Sequence, residues 1–245
     1  MRDAFHSRLD AVVARFKHAR DPRVQESVEL VRSAGADSVA ALIKLAADRE
    51  NPISLRASAA WLLGQLRERS AVPALLRMLT ESRDHPVTCE AMKALGAIDD
   101  KGSVRPLIAL LRSRKRRVDV RMGAAYALGC IGDRRATSAF ISILEDVKED
   151  ARLRDQVADS MGGLFDSRSI KPLMGALHDP DPGVRASAAN SLGQIRAVCA
   201  LSELKKLTRR STEPDPDVRR LARWAVASLE EARRGGDNSG KSWRS

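Results

Sequence analysis

The chain has 245 residues, with 43 Lys and Arg against 32 Asp and Glu, a net charge of +11 and only 3% aromatic residues. So few rings argue against a core built on large aromatic side chains; Ala- and Leu-rich helix pairs need few of them. No run approaches the ~18 apolar residues of a membrane span, and the positive excess favours acidic partners without choosing among them.

Met1–Arg20, MRDAFHSRLDAVVARFKHAR, alternates charged and apolar residues and lacks the apolar core of a signal peptide. Phe5, Leu9, Val12, Val13 and Phe16 form its apolar side, so it is expected to be an N-terminal capping helix. Cys89, Cys130 and Cys199 are odd in number and widely scattered. They are expected to be free thiols, which places the chain in the cytoplasm.

Asp21-Pro22 opens a degenerate helix, RVQESVELVRSAG, ended by Gly35, and Asp37–Asp48, DSVAALIKLAAD, reads as its partner. From there one motif returns: LRASAAWLLGQL at Leu55–Leu66, VTCEAMKALGAI at Val87–Ile98, VRMGAAYALGCI at Val120–Ile131, LRDQVADSMGGL at Leu153–Leu164, VRASAANSLGQI at Val184–Ile195 and VRRLARWAVASL at Val218–Leu229. Gly64, Gly96, Gly129, Gly162, Gly193 and Ala227 share one register, at spacings of 32, 33, 33, 31 and 34 residues. A fixed period of this length marks a solenoid, in which each helix buries its apolar stripe only against neighbouring repeats.

A partner helix alternates with the motif at Ser70–Leu79, Ser103–Leu111, Ala136–Leu144, Ser169–Leu177 and Ala200–Leu207. Pro73, Pro106 and Pro172 fall near the starts of three copies, where a missing N–H costs little. Ser70, Ser103 and Ser169 stand in place as caps. Turn-formers such as Asn51-Pro52, His85-Pro86 and Asp179-Pro180-Asp181-Pro182 separate the pairs. The expected fold is therefore all-α, with a repeat solenoid over Asp21–Arg234 and a flexible tail over Gly235–Ser245.

The pattern V-R-x-x-A-A-x-A-L-G-x-I-G-D, clearest at Val120–Asp133, resembles the HEAT-like repeat first named from phycobilisome lyases. The resemblance implies a right-handed α-solenoid of about seven helix pairs, with the glycine-bearing helices lining a concave face. It leaves function open, because scaffolds, bilin lyases and some enzymes use this repeat.

Enzyme chemistry finds little support. Gly235–Ser242, GGDNSGKS, matches the spacing of a phosphate-binding loop, but a charged helix precedes it where a buried strand is required. Deoxyhypusine hydroxylase, built of similar repeats, carries paired His-Glu motifs; His6, His18, His85 and His178 are none of them followed by Glu. The cysteines have no metal-ligand spacing. No catalytic residue, metal or cofactor is expected, and oligomeric state has no signature in the sequence.

Two charged series recur. Arg56, Arg121, Arg154, Arg185 and Arg219 open the repeat helices, with Thr88 interrupting them; a residue every repeat requires is read as structural, bonded to carboxylates or carbonyls at the turns, near Asp133 and Asp166. Arg112–Arg117, RSRKRR, sets Arg112, Arg114, Lys115, Arg116 and Arg117 at one turn. It reads as a solvated loop, with phosphate contact as the alternative.

The position three residues before each register glycine holds Trp61, Lys93, Tyr126, Asp159, Asn190 and Trp224. Six positions of 245 would hold about 0.1 of the chain's four Trp and Tyr residues by chance; they hold three. Exposed aromatics in one polar row are the usual anchors of a binding surface. The expected function is a non-enzymatic scaffold that binds a protein or peptide in its concave groove. A basic nucleic-acid-binding solenoid and a bilin lyase-like protein are the alternatives.

Overall fold

A computed structural model describes residues 36–81 and 84–234. The expected capping helix, the degenerate first repeat helix and the C-terminal tail lie outside these residues. Twelve α-helices fill the described chain, which contains no strand: α1 Ala36–Ala47, α2 Ile53–Gln65, α3 Val72–Glu81, α4 His85–Ile98, α5 Val104–Arg112, α6 Val118–Ile131, α7 Thr137–Leu144, α8 Ala151–Gly162, α9 Ile170–Ala176, α10 Pro182–Gln194, α11 Leu201–Leu207 and α12 Pro216–Arg234. This is the all-α solenoid class that the period predicts.

The chain divides into two compact units, between Pro106 and Leu107. In the first, α2 packs along α4, with α1 and α3 behind them. In the second, α6, α8, α10 and α12 pack in succession, backed by α7, α9 and α11. The glycine register sets how close these helices come. A Cβ on Gly64 would lie 2.7 Å from Ala94 Cα, and one on Gly129 would lie 2.9 Å from Ser160 Cα. Backbone therefore rests on backbone in both units, and no larger residue fits at these positions.

Leu, Ala and Val supply the core. Leu62, Leu63, Leu95, Leu128, Leu153 and Leu192 are fully buried, as is Phe140. Each buried leucine contributes on the order of 2 kcal/mol, which is how a chain so poor in rings builds a stable interior.

A short 3-10 turn precedes five of the partner helices, at Arg69–Ala71, Lys101–Ser103, Arg134–Ala136, Ser167–Ser169 and Val198–Ala200. The serines expected to cap these starts do not do so. Carboxylates two or three residues earlier take the role: Glu68 accepts from the Ser70 amide at 3.0 Å, Asp133 from Arg135 at 2.9 Å and Asp166 from Arg168 at 3.0 Å. Ser103 Oγ instead donates to the Asp100 carbonyl at 2.6 Å, and Ser169 Oγ is buried without a hydrogen-bond partner. The chain must already be turning at the carboxylate, because a 3-10 turn spends three residues before the α-helix begins.

Ahead of each turn, the residue that ends the glycine helix takes a left-handed conformation: Arg67 (φ 53°), Asp99 (51°), Gly132 (65°), Phe165 (45°) and Arg196 (54°). Only one of the five is the residue type this conformation favours.

Candidate functional site

The arginine series is built into the repeat. Arg121 donates to both oxygens of Glu149, at 2.8 and 2.6 Å, and through Nε to the Leu111 carbonyl at 2.8 Å. Arg56 reaches Asp84 at 3.1 Å and the Ala46 carbonyl at 3.4 Å; Arg154 takes Asp179 at 3.0 Å through both Nε and Nη2, and Arg185 takes Glu213 at 2.8 Å the same way. Arg219 ends the series on the Glu213 and Pro214 carbonyls, at 2.8 and 2.6 Å. At the interruption, Thr88 Oγ1 donates to the Asp84 carbonyl at 3.2 Å. The partners are carboxylates on the following turn, not Asp133 and Asp166, which cap the 3-10 turns on the other edge.

The RSRKRR turn joins α5 to α6, and Arg112, Arg114, Lys115, Arg116 and Arg117 are all exposed. Arg114 pairs with Asp146 on the next turn and Arg117 with Asp119. Two of the five charges are thus partly neutralised by the protein's own carboxylates.

The row before the glycines remains. Trp61 on α2 is half-buried, and Lys93 on α4 is exposed and pairs with Glu90 at 2.7 Å. These two belong to the first unit. The second unit carries the other four on successive helices: Tyr126 on α6, Asp159 on α8, Asn190 on α10 and Trp224 on α12. Tyr126 and Asn190 are half-buried, Asp159 is exposed, and Trp224 is 46% exposed. None of the six is a core residue.

Three of these four side chains act on one another or on a shared thiol. Tyr126 and the Asp159 charge both act on the thiol of Cys130, which stands one helical turn beyond Tyr126. Asn190 in turn acts on the Asp159 carboxyl. The Trp224 ring lies over Gly193, where an added Cβ would come within 2.6 Å of Cζ3. Asp155, one turn before Asp159, accepts from Ser187 Oγ at 2.5 Å. Sequence reasoning missed Asp155, Cys130 and Ser187; the signal available was spacing, since Asp155 and Cys130 stand four residues from row positions and share their helix faces.

The electrostatics of this face are unusual for so basic a chain. Desolvation raises the Asp159 carboxyl above its ordinary value, the neighbouring Asp155 charge raises it further, and only the Asn190 hydrogen bond opposes them. Desolvation also pushes the Cys130 thiol up, against the lowering effect of Tyr126. Asp159 is open to solvent yet desolvated by the protein around it. Its neighbour Asn190 is a neutral amide, whereas Glu149, Asp179 and Glu213 each hold an arginine.

Among the described residues no group of three or more His, Cys, Asp or Glu could hold a metal ion, and no helix is long and apolar enough to cross a membrane. His85 lies 3.3 Å from the Cys89 thiol, and His178 lies 3.9 Å from Glu203.

The family model described as HEAT repeats matches residues 39–129, 79–152 and 137–227. The chain belongs to the HEAT-repeat family. No curated protein matches this HEAT-repeat chain. Among solved structures, it is similar to Kap121p bound to Nup53p, with TM-score 0.59 and 14% identity over all of this chain and 32% of Kap121p. It also resembles an engineered protein, with TM-score 0.51 and 21% identity, covering 91% of this chain and 97% of the other. The CpcE–CpcF complex of phycocyanin lyase from Nostoc sp. PCC7120 matches at TM-score 0.48 and 24% identity, over 90% of this chain and 94% of that one. At these identities the fold alone is what the chain shares with Kap121p and the engineered protein.

Proposed function

We propose that this HEAT-repeat protein is a non-enzymatic scaffold that binds a protein or peptide segment along the helix face of its second unit. The observation that carries the reading is the row Tyr126, Asp159, Asn190 and Trp224. Two partly exposed aromatic side chains flank two polar ones, at one register on four successive helices. Rings held partly open to water at fixed spacing act as anchors, and the carboxylate and amide between them select what lies across the middle. Asp159, held in its charged form by no cation of its own, suits a partner that presents a hydrogen-bond donor there. The share of the fold with Kap121p, a protein seen bound to Nup53p, is in keeping with this use of stacked helix pairs.

Selection from a displayed random-peptide library, followed by affinity measurement on Tyr126→Ala and Trp224→Ala, tests the reading. Each substitution is expected to weaken the selected peptides by ~2 kcal/mol while leaving a cooperative thermal transition. Peptides that bind both variants as tightly as the parent would sink the proposal.

A further inference from the structure

The left-handed position at the end of each glycine helix is exposed in four of its five occurrences, and Phe165 is its one aromatic occupant; Arg67, Asp99 and Arg196 are polar and Gly132 has no side chain. Phe165 combines two liabilities. A bulky side chain at φ 45° is an outlier of backbone conformation, and its ring is 49% exposed to water. Gly132 makes the same turn one repeat earlier without either, so the fold does not require the phenyl ring. A strained residue that the fold does not need is a candidate for contact with something outside the chain.

Its surroundings indicate what. Arg134 Nη2 donates to the Phe165 carbonyl at 3.1 Å, and Arg168 Nη2 donates to the Arg134 carbonyl at 3.1 Å, so backbone bonds tie both arginines to this turn. Arg196 stands exposed at the same register one repeat on, with Val198 41% exposed beside it. The carboxylates of this edge are already taken: Asp166 is 4% exposed and holds Arg168, and Asp133 holds Arg135. What faces solvent at this turn is Phe165, with the Arg134 guanidinium bonded to its carbonyl. Guanidinium groups recognise phosphate oxygens in a planar, bidentate manner. An exposed ring beside them offers a stacking platform to an unpaired base, which a duplex cannot present.

We propose that the turn edge around Phe165 binds single-stranded nucleic acid, with a base stacked on the ring and phosphates held by Arg134 and Arg196. This surface is distinct from the helix-face row and does not depend on it.

Fluorescence anisotropy of labelled oligothymidylate and oligouridylate at low salt, with a labelled duplex and a labelled polyglutamate peptide as comparisons, tests it. Phe165→Gly is the decisive variant, because glycine relieves the left-handed backbone while deleting the ring. It is expected to raise the melting temperature and to weaken single-strand binding about tenfold, a pairing that misfolding cannot produce. Arg196→Gln is expected to reduce the slope of log affinity against log salt by ~0.7. The proposal is overturned if the oligonucleotides do not bind, if Phe165→Gly leaves their affinity unchanged, or if polyglutamate binds more tightly with the same dependence on Phe165.

Discussion

Arg121 and Glu149 face each other through two hydrogen bonds of 2.8 and 2.6 Å, with side chains only 4% and 9% exposed. Arg121 reaches back to α5 and forward to the turn before α8, so one side chain ties α5 and α6 to that turn. Removing it leaves a buried carboxylate without its cation. Arg121→Ala is expected to cost ~3–5 kcal/mol in chemical denaturation. Lysine cannot reproduce the paired geometry, so Arg121→Lys should recover little of that. Arg114→Ala breaks an ion pair whose arginine is 70% exposed, and should cost at most about 1 kcal/mol. Similar losses for Arg121→Ala and Arg114→Ala would contradict a buried clamp.

Asp166 gives the protein a sensitivity to acid. Burial alone would raise its carboxyl, but hydrogen bonds from Arg168 and Thr137 outweigh that and bring it from 3.8 to about 2. A folded-state value below the unfolded one means stability that is present above pH 4 and lost as pH falls from about 4 to about 2. The amount is on the order of 2 kcal/mol. Asp166→Asn should therefore lower stability at pH 7 and flatten its fall between pH 4 and pH 2. An unchanged acid limb in the variant's melting curve would count against the assignment.

Asp159 has the opposite sign. Its carboxyl is raised, first by desolvation and then by Asp155, so the ionised form is the one the folded state disfavours. Stability attributable to it is highest below the unfolded value and declines as pH rises through the folded one. Asp159→Asn is expected to melt at the same temperature as the parent, or higher, at pH 7. A lower melting temperature would mean that the charge is held by something structural.

The glycines separate into two kinds. At Gly129 a methyl group would press on Ser160 backbone, with Cα at 2.9 Å, so Gly129→Ala should cost ~1–3 kcal/mol by forcing α6 and α8 apart. Around Gly175 on α9 nothing lies within 4 Å of an added Cβ. Gly175→Ala should instead stabilise by ~0.5 kcal/mol, through helix propensity. Thermal melts of the two variants should move in opposite directions.

The repeat was legible because its constraints are periodic. Gly64, Gly129 and Gly193 announce helix contacts too close for a side chain, and the arginines announce a bond every repeat needs. Which carboxylate each arginine takes was not legible, because the partner lies most of a repeat away and several acids were available. The 3-10 turns hid behind Ser70, Ser103 and Ser169, which resemble caps at the wrong place. The left-handed residues left no trace at all: four of five are not glycine, so composition could not reveal the strain at Phe165. The row before the glycines was visible as a concentration of rare aromatics, but Asp155 and Cys130, being of ordinary residue types, became part of that face only through contacts between helices.

The clamps restrict how this chain can change length. Arg56 and Asp84, Arg121 and Glu149, and Arg185 and Glu213 are each separated by 28 positions, and Arg154 and Asp179 by 25. A residue inserted within a helix between two such partners would rotate everything after it by about 100° and carry the carboxylate out of reach. Duplicating or removing a whole repeat leaves every surviving arginine at the correct distance from an acid. Lineages carrying this architecture should therefore differ in repeat-sized steps, with smaller insertions confined to turns that no clamp spans.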